Sequence, residues 1–398
     1  MIQRKQYMNK LIKMKDEKII RAITGIRRCG KSTLLLLFQD YLKQHGVVDD
    51  QIISINFEDM EHECLLDYRK LYEYVSARLT EGKRAYVFLD EIQSVPSFQK
   101  AVDSLYIKDN VDVYITGSNA HLLSGDLATF LSGRYIEVNM LPLSFAEYLE
   151  LKGGGEKREM FRSYYLNGGF PQAAAIEDDE VRSDYIRGIY STVLLKDIVA
   201  RKKITNVELL ESVTRFLFDN VGNIVSTKKI ADSLTSFGRN TTSVTVENYA
   251  SALTDAFVFY KASRYDVKGK QHLKSLEKYY AADIGLRHRV LGKRDRDIGR
   301  VLENIVYLEL VRRGYKVQVG KMGEREIDFI ATSGDKKVYY QVAASVLDPA
   351  TFAREFEPLR RIKDHYPKYV LTMDDLPSGD NGIQQLNVID FLLNEQIH

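Results

Sequence analysis

The chain has 398 residues, 44% hydrophobic and 28% charged, a composition that excludes wholesale disorder and a length that predicts two or three domains. Lys and Arg number 57 against 55 Asp and Glu, so the net charge of +2 excludes a histone-like polycation. Two cysteines, Cys29 and Cys64, exclude a disulfide framework, and no apolar run approaches the ~18 residues of a membrane span.

The opening Met1-Ile2-Gln3-Arg4-Lys5 lacks the apolar stretch of a signal peptide, so a cytoplasmic protein without a membrane partner is expected. Charge is unevenly spread. Residues 1–45 carry eleven Lys/Arg against three Asp/Glu, residues 49–67 seven acids and no Lys or Arg, and residues 196–274 thirteen bases against eight acids. Such asymmetry points either to polyanion contact at two places or to solvated faces.

In chain order, short apolar runs at 19–24, 52–57, 85–89, 111–116 and 134–138 predict strands. Segments long enough for helices, such as 31–45 and 96–108, lie between them. This alternation predicts a parallel sheet covered by helices on both faces. A Lys152-Gly153-Gly154-Gly155-Glu156 linker closes a first domain at 1–152. Residues 156–290 read as mainly helical. A helix capped by Ser226 and Thr227, a Gly238-Arg239-Asn240 turn, a helix over 243–256 and strands at 257–262 and 278–281 give the winged-helix outline. Such modules bind DNA, dock proteins or act as spacers. A third unit, 291–398, begins with a helix from Ile298 to Arg313. Strands at 316–319, 326–331 and 338–343, a helix over 352–363 and a strand at 369–372 follow.

The chemistry concentrates in Gly25-Ile26-Arg27-Arg28-Cys29-Gly30-Lys31-Ser32-Thr33, a complete G-x-x-x-x-G-K-[ST] between a buried strand and a helix. Its backbone N–H groups and the helix N-terminus would cradle phosphates. Lys31 would reach the β- and γ-phosphates of ATP, and Ser32 would hold Mg²⁺. Cys29 reads as a small loop filler, with a redox switch as the alternative. The strand Tyr86-Val87-Phe88-Leu89 ends in Asp90 and Glu91, placing two acids at the sheet's carboxyl edge. Asp90 is the candidate second metal holder, and Glu91 the candidate base on the attacking water. Ser118 and Asn119, after the next strand, are candidate γ-phosphate sensors or a plain helix cap. Arg134 reads as a finger on a neighbouring copy's nucleotide, which would imply a homo-oligomer, or as a strand-edge salt bridge. Glu58 reads as a relay of nucleotide state or a solvated acid.

Together the phosphate loop, Leu89-Asp90-Glu91-Ile92-Gln93, Thr116-Gly117-Ser118-Asn119, Ser132-Gly133-Arg134 and Pro142-Leu143-Ser144-Phe145 resemble the prokaryotic AAA-superfamily ATPases whose C-terminal half is a domain of unknown function. Gly168-Gly169-Phe170-Pro171 and Glu326-Ile327-Asp328-Phe329 extend the match over nearly the whole chain. The resemblance implies a P-loop NTPase (AAA-type) α/β domain, then a helical/winged-helix domain and a restriction-endonuclease-like α/β domain. The nuclease pattern needs a helix acid, a strand acid and an acid-x-lysine on the next strand. Glu303, Asp328 and Gln341 stand at the first three places, but Ala343 stands where lysine should be. Lys336 or Lys337 could substitute only through a favourable register. A degenerate nuclease unit is therefore expected.

The expected function is Mg²⁺-dependent ATP hydrolysis coupled to conformational change, acting on DNA or a DNA-bound partner. The basic set for DNA is Lys268, Lys270 and Lys274 in the wing loop, with Lys196, Arg201, Lys202, Lys203, Lys228, Lys229, Arg239, Lys261 and Arg264 around it. The alternatives are an ATP-gated nuclease in mobile-element or phage defence, and an ATP-dependent signalling switch that recruits a protein.

Overall fold

β1 (Ile20–Thr24) is buried along its whole length, as a strand flanked on both sides and covered on both faces must be. The computed structural model describes residues 2–123, 133–269, 271–292, 297–376 and 379–394. In it β1 lies inside a five-stranded sheet with β2 (Ile52–Asn56), β3 (Ala85–Asp90), β4 (Val111–Gly117) and β5 (Tyr135–Asn139). The order is β2-β3-β4-β1-β5 and every pairing is parallel, as the alternation of runs predicts. Side chains alternate between the faces. Phe88 and Tyr114 stack at 4.8 Å under Phe38 of α2 (Lys31–Gln44), while Val87, Leu89, Val113 and Ile115 pack against Leu71 and Val75 of α3 (Tyr68–Ser76) and Val102 and Leu105 of α4 (Phe98–Tyr106). A preceding helix, α1 (Lys5–Lys13), buries Tyr7 and Leu11. Arg21, fully buried in β1, is tolerated because it pairs with Asp112 at 3.3 Å and donates to the carbonyls of Ile19 and Glu17.

The chain divides into two compact units, one of Met1–Leu141 with Asp255–Phe257, the other of Pro142–Thr254 with Val258–His398. The expected first boundary at 152 therefore moves upstream. α5 (Phe145–Leu151), capped by Ser144, belongs to the second unit because Phe145 and Tyr148 pack on Phe161 and Tyr164 of α6 (Lys157–Asn167). Next come α7 (Pro171–Ala175) and α8 (Asp179–Ser191), which runs on through a π-helical stretch, then α9 (Val207–Asp219). The Gly168-Gly169 pair has a physical reason. Gly169 donates its N–H to buried Asp283 at 2.6 Å, and a Cβ on Gly168 (φ 78°) would stand 2.2 Å from that carboxylate.

The short β6 (Ile224–Val225) precedes α10 (Thr227–Ser236) and α11 (Ser243–Asp255), and an antiparallel hairpin of β7 (Phe259–Asp266) and β8 (Gln271–Ala281) follows. Helix, turn, helix and hairpin thus come in the expected order. The expected boundary at 290 falls inside a continuous sheet, because β7 pairs in parallel with β9 (Lys316–Met322). That pairing joins the hairpin to β10 (Arg325–Ser333), β11 (Lys336–Val342), β12 (Lys368–Thr372), β13 (Gly379–Asp380) and β14 (Ile383–Asn387) in one nine-stranded sheet. α12 (Ile284–Leu291), α13 (Ile298–Arg312), α14 (Pro349–Arg360) and α15 (Val388–Leu393) complete the unit. Among the described residues no helix is long and apolar enough to cross a membrane.

Candidate functional site

The loop between β1 and α2 is shaped by its glycines. Gly25, at φ 147°, passes so close to the end of β5 that a Cβ would stand 2.1 Å from the Met140 carbonyl oxygen. Gly30 precedes α2 at φ 104°, and no side chain caps that helix, leaving its first-turn N–H groups facing the loop. Cys29 is fully buried, and burial pushes its thiol up, away from the thiolate that a redox switch needs. Arg4, also buried, donates to the Cys29 carbonyl at 3.4 Å and to the Leu141 carbonyl at 2.5 Å, bracing the loop from below.

Lys31 is 4% exposed and turns back over the loop, donating to the carbonyls of Gly25 at 3.1 Å and Ile26 at 3.4 Å. Its ammonium stands 3.5 Å from Glu91 Oε1. Burial opposes ionisation of Glu91. The Lys31 ammonium, a hydrogen bond from Gln93, and Arg27 outweigh it and hold the carboxyl below its ordinary range. Asp90 differs: burial raises its pKa, although the Ser32 and Thr116 hydroxyls both hydrogen-bond it. The structure thus brings Lys31, Ser32, Asp90 and Glu91 to one sheet edge. An ammonium, a hydroxyl and two carboxylates of unequal acidity around uncapped helical N–H groups suit a triphosphate with a divalent cation.

Other expected residues land differently. Asn119 is 1% exposed, and its Oδ1 accepts the Leu122 N–H at 3.1 Å, so it caps the turn that follows β4. Ser118 is buried against Glu91. Arg134 is not brought to the cluster. It precedes β5, whose register aligns Tyr135 with Ile20 and Asn139 with Thr24, so it lies about 16 Å of strand away from the loop. There it pairs with Asp103 and lies over the Tyr106 ring. Glu58 pairs with Arg27 of the phosphate loop at 2.5 Å, the contact that a relay of nucleotide state would need. Ser132 lies outside the described residues.

Sequence reasoning included Thr116 in Thr116-Gly117-Ser118-Asn119 but gave it no role. Its fully buried hydroxyl touches both acids, which its place at the end of an apolar strand does not announce.

The nuclease-like place holds a second surprise. Neither Lys336 nor Lys337 approaches Asp328, and the Lys337 ammonium instead sits among the rings of Tyr265, Tyr339 and Tyr366. A lysine arrives from β8. Lys278, 2% exposed, pairs with Glu303 of α13 at 2.9 Å, with Glu326, and with Asp328 at 3.9 Å. Burial and the neighbouring Glu303 hold the Asp328 carboxyl well above the ordinary range. From sequence Gln341 could still offer a ligand oxygen; in the structure its Oε1 instead accepts the Asp328 N–H at 2.7 Å, while Nε2 donates to Glu355 at 2.8 Å. Among the described residues no group of three His, Cys, Asp or Glu is arranged to hold a metal ion. The acids close around an internal ammonium. Duplex DNA incubated with the protein, ATP and Mg²⁺ or Mn²⁺ is therefore expected to stay intact on a gel, and cutting abolished by Asp328→Ala would refute that.

A family model described as an AAA domain matches residues 17–149, and one described as a domain of unknown function matches 158–297. An uncharacterized protein of Haemophilus influenzae is 40% identical over 399 residues, covering 99% of this chain and 99% of its own length. One from Methanocaldococcus jannaschii is 30% identical over 388 residues, covering 93% and 85%. Among solved structures, the chain is similar to the Aeropyrum pernix ORC1 protein in complex with DNA (12% identity, 73% of this chain and 92% of that one, TM-score 0.33). It is also similar to AMPPCP-bound DnaA from Aquifex aeolicus (13% identity, 63% and 86%, TM-score 0.30).

Proposed function

Because the chain belongs to the family of prokaryotic AAA-superfamily ATPases in which the AAA domain is followed by a domain of unknown function, we propose that it binds ATP with Mg²⁺ and hydrolyses it to ADP and phosphate. The observation that carries this reading is the convergence of Lys31, Ser32, Asp90 and Glu91 on the uncapped start of α2. In it the backbone from Gly25 to Thr33 cradles the phosphates, Lys31 neutralises the β- and γ-oxygens, and Ser32 and Asp90 hold the cation. Glu91, kept ionised beside Lys31, takes the proton of the attacking water. Ser118, buried beside Glu91, reads the γ-phosphate, and Asn119, its Oδ1 taken by the Leu122 N–H, does so through its Nδ2. In this reading Arg134 acts on the nucleotide of a neighbouring copy in a homo-oligomer, for which it would have to leave its pairing with Asp103. Phosphate release from ATP and Mg²⁺, measured with and without duplex DNA, tests the reading. No turnover under either condition would overturn it.

The hydrolysis energy drives a conformational change acting, in the cytoplasm, on DNA or a DNA-bound partner. Support comes from exposed bases: Arg201, Lys202, Lys203, Lys228, Lys229 and Lys268. Lys261 is paired with Glu277 at 2.9 Å, and Arg239 donates to the Glu208 carbonyl at 2.8 Å, so both are partly committed within the protein. Lys270 and the side chains of Lys196 and Lys274 lie outside the described residues. If three wing lysines each neutralise a phosphate, log K against log salt should fall with a slope near ~−2.7 for duplex DNA. Replacing Lys268, Lys270 and Lys274 together with Ala should flatten that slope in filter binding. An unchanged slope would remove the wing from the interface.

One observation favours the switch reading for one face. The exposed side of α11 carries Val244, Glu247, Asn248 and Ser251, with no cation, and Phe237 in the preceding turn is 81% exposed. That chemistry suits a protein surface better than phosphates.

A further inference from the structure

Thr116 stands where β4 lies alongside β3, one residue beyond the paired Leu89 and Ile115, and none of its surface reaches solvent. Its hydroxyl makes two bonds of opposite sense. It accepts the Glu91 backbone N–H at 2.8 Å, and it lies 2.5 Å from Asp90 Oδ1, to which it donates its one hydrogen. A backbone N–H can only donate and a carboxylate can only accept, so the hydroxyl has a single orientation available.

The residue it holds is under strain. Glu91 has φ 55° and ψ 44°, the left-handed region that side chains other than glycine rarely adopt. Asp90 and Glu91 are each 7% exposed, so an N–H released here would meet little water. Strained conformations at buried sites persist only where surrounding contacts over-determine them. The Glu91 N–H is held by the Thr116 oxygen and its carbonyl by the Ser94 N–H at 3.1 Å, while Gln93 and Lys31 fix its carboxylate.

We infer that Thr116 is a positioning residue, whose hydroxyl holds the Glu91 backbone in its strained conformation and fixes the direction of the Asp90 carboxylate, so that both acids face the phosphate loop together. The inference rests on the ATPase reading and extends it. The described partners of its hydroxyl are the Glu91 N–H and the Asp90 carboxylate, so it acts through the two acids. Affinity for the nucleotide without Mg²⁺ depends on the loop backbone and Lys31, whereas Asp90, which Thr116 orients, enters only through the cation. The rate of the chemical step depends on where Glu91 stands, and a misplacement of about 1 Å can cost about 10²-fold.

The test is Thr116→Val, which keeps shape and removes the hydroxyl, beside Thr116→Ser, which keeps the hydroxyl and removes a methyl. The valine variant should lose about 10²-fold in kcat while its Kd for a fluorescent ATP analogue, measured without Mg²⁺, stays within about 2-fold of the parent. The serine variant should retain most of the parent's kcat. In a Glu91→Gln background, Thr116→Val should cost little more, since residues acting as a unit are not additive. A valine variant that turns over like the parent overturns the inference, as does a serine variant that falls equally far, which would make the methyl's packing the cause. If the valine variant does not fold, Thr116→Ala against Thr116→Ser gives the same comparison. A parent without ATP turnover would overturn the ATPase reading instead, and this inference with it.

Discussion

Replacing Glu91 with Gln should slow ATP hydrolysis by about 10²-fold or more while nucleotide binding persists, and replacing Lys31 with Ala should abolish binding itself. The two effects separate because the two groups do different work. Glu91 is buried, yet the Lys31 ammonium 3.5 Å away and the Gln93 amide keep it ionised, the state a proton acceptor needs. Glutamine preserves its shape and its contact with Gln93 but cannot take a proton. Lys31 is buried and already folded over the Gly25 and Ile26 carbonyls, and without it the β- and γ-phosphates lose the ammonium that the loop holds among its backbone dipoles. Phosphate release under single turnover and equilibrium binding of a fluorescent ATP analogue measure the two quantities. A Glu91→Gln variant that hydrolyses ATP like the parent would show that another group, with Asp90 the nearest carboxylate, accepts the proton.

What the sequence disclosed follows from how local each signal is. The phosphate loop was legible because its chemistry lies within nine consecutive residues, between an apolar strand and a helix. Asp90 and Glu91 were legible because both follow a buried strand whose neighbours in the sheet are parallel. The continuity of the second sheet was not legible. It depends on the pairing of Arg264, Tyr265 and Asp266 with Val319, Gly320 and Lys321, strands separated by a hairpin and two helices. Arg134 has the same history: its partner Asp103 lies on a helix some thirty residues earlier, and nothing in the Ser132-Gly133-Arg134 motif announces it. Thr116 was hidden by its type, a β-branched residue at home in any strand.

Lys278 was hidden by its neighbours, since Lys278-Tyr279-Tyr280 reads as one more alternation in a hairpin, with lysine on the wet side. The structure places it on the dry side, and the largest stability effect follows. Lys278→Met should destabilise the protein by about 3–5 kcal/mol, because the ammonium leaves and the carboxylates it balanced stay buried. Glu303 loses its partner at 2.9 Å and keeps the Tyr280 hydroxyl at 2.7 Å, a neutral donor. Glu326 is only partly buried and can turn to water, and burial and Glu303 already push Asp328 toward its neutral form, so the penalty falls mainly on Glu303. Lys261→Met is the control. That lysine is about half exposed and paired with Glu277, a surface contact worth no more than about 1 kcal/mol. Urea denaturation at pH 7 gives both values. The double variant Lys278→Met with Glu303→Gln should recover part of the loss, since it removes one uncompensated charge along with the ammonium. A Lys278→Met loss no larger than that of the Lys261 control would mean that the acids shed their charge without the ammonium. The joining of β8 to α13 would then rest on the hydrogen bonds of Tyr280 with Glu303 and of Asn304 with Ala281, and on packing.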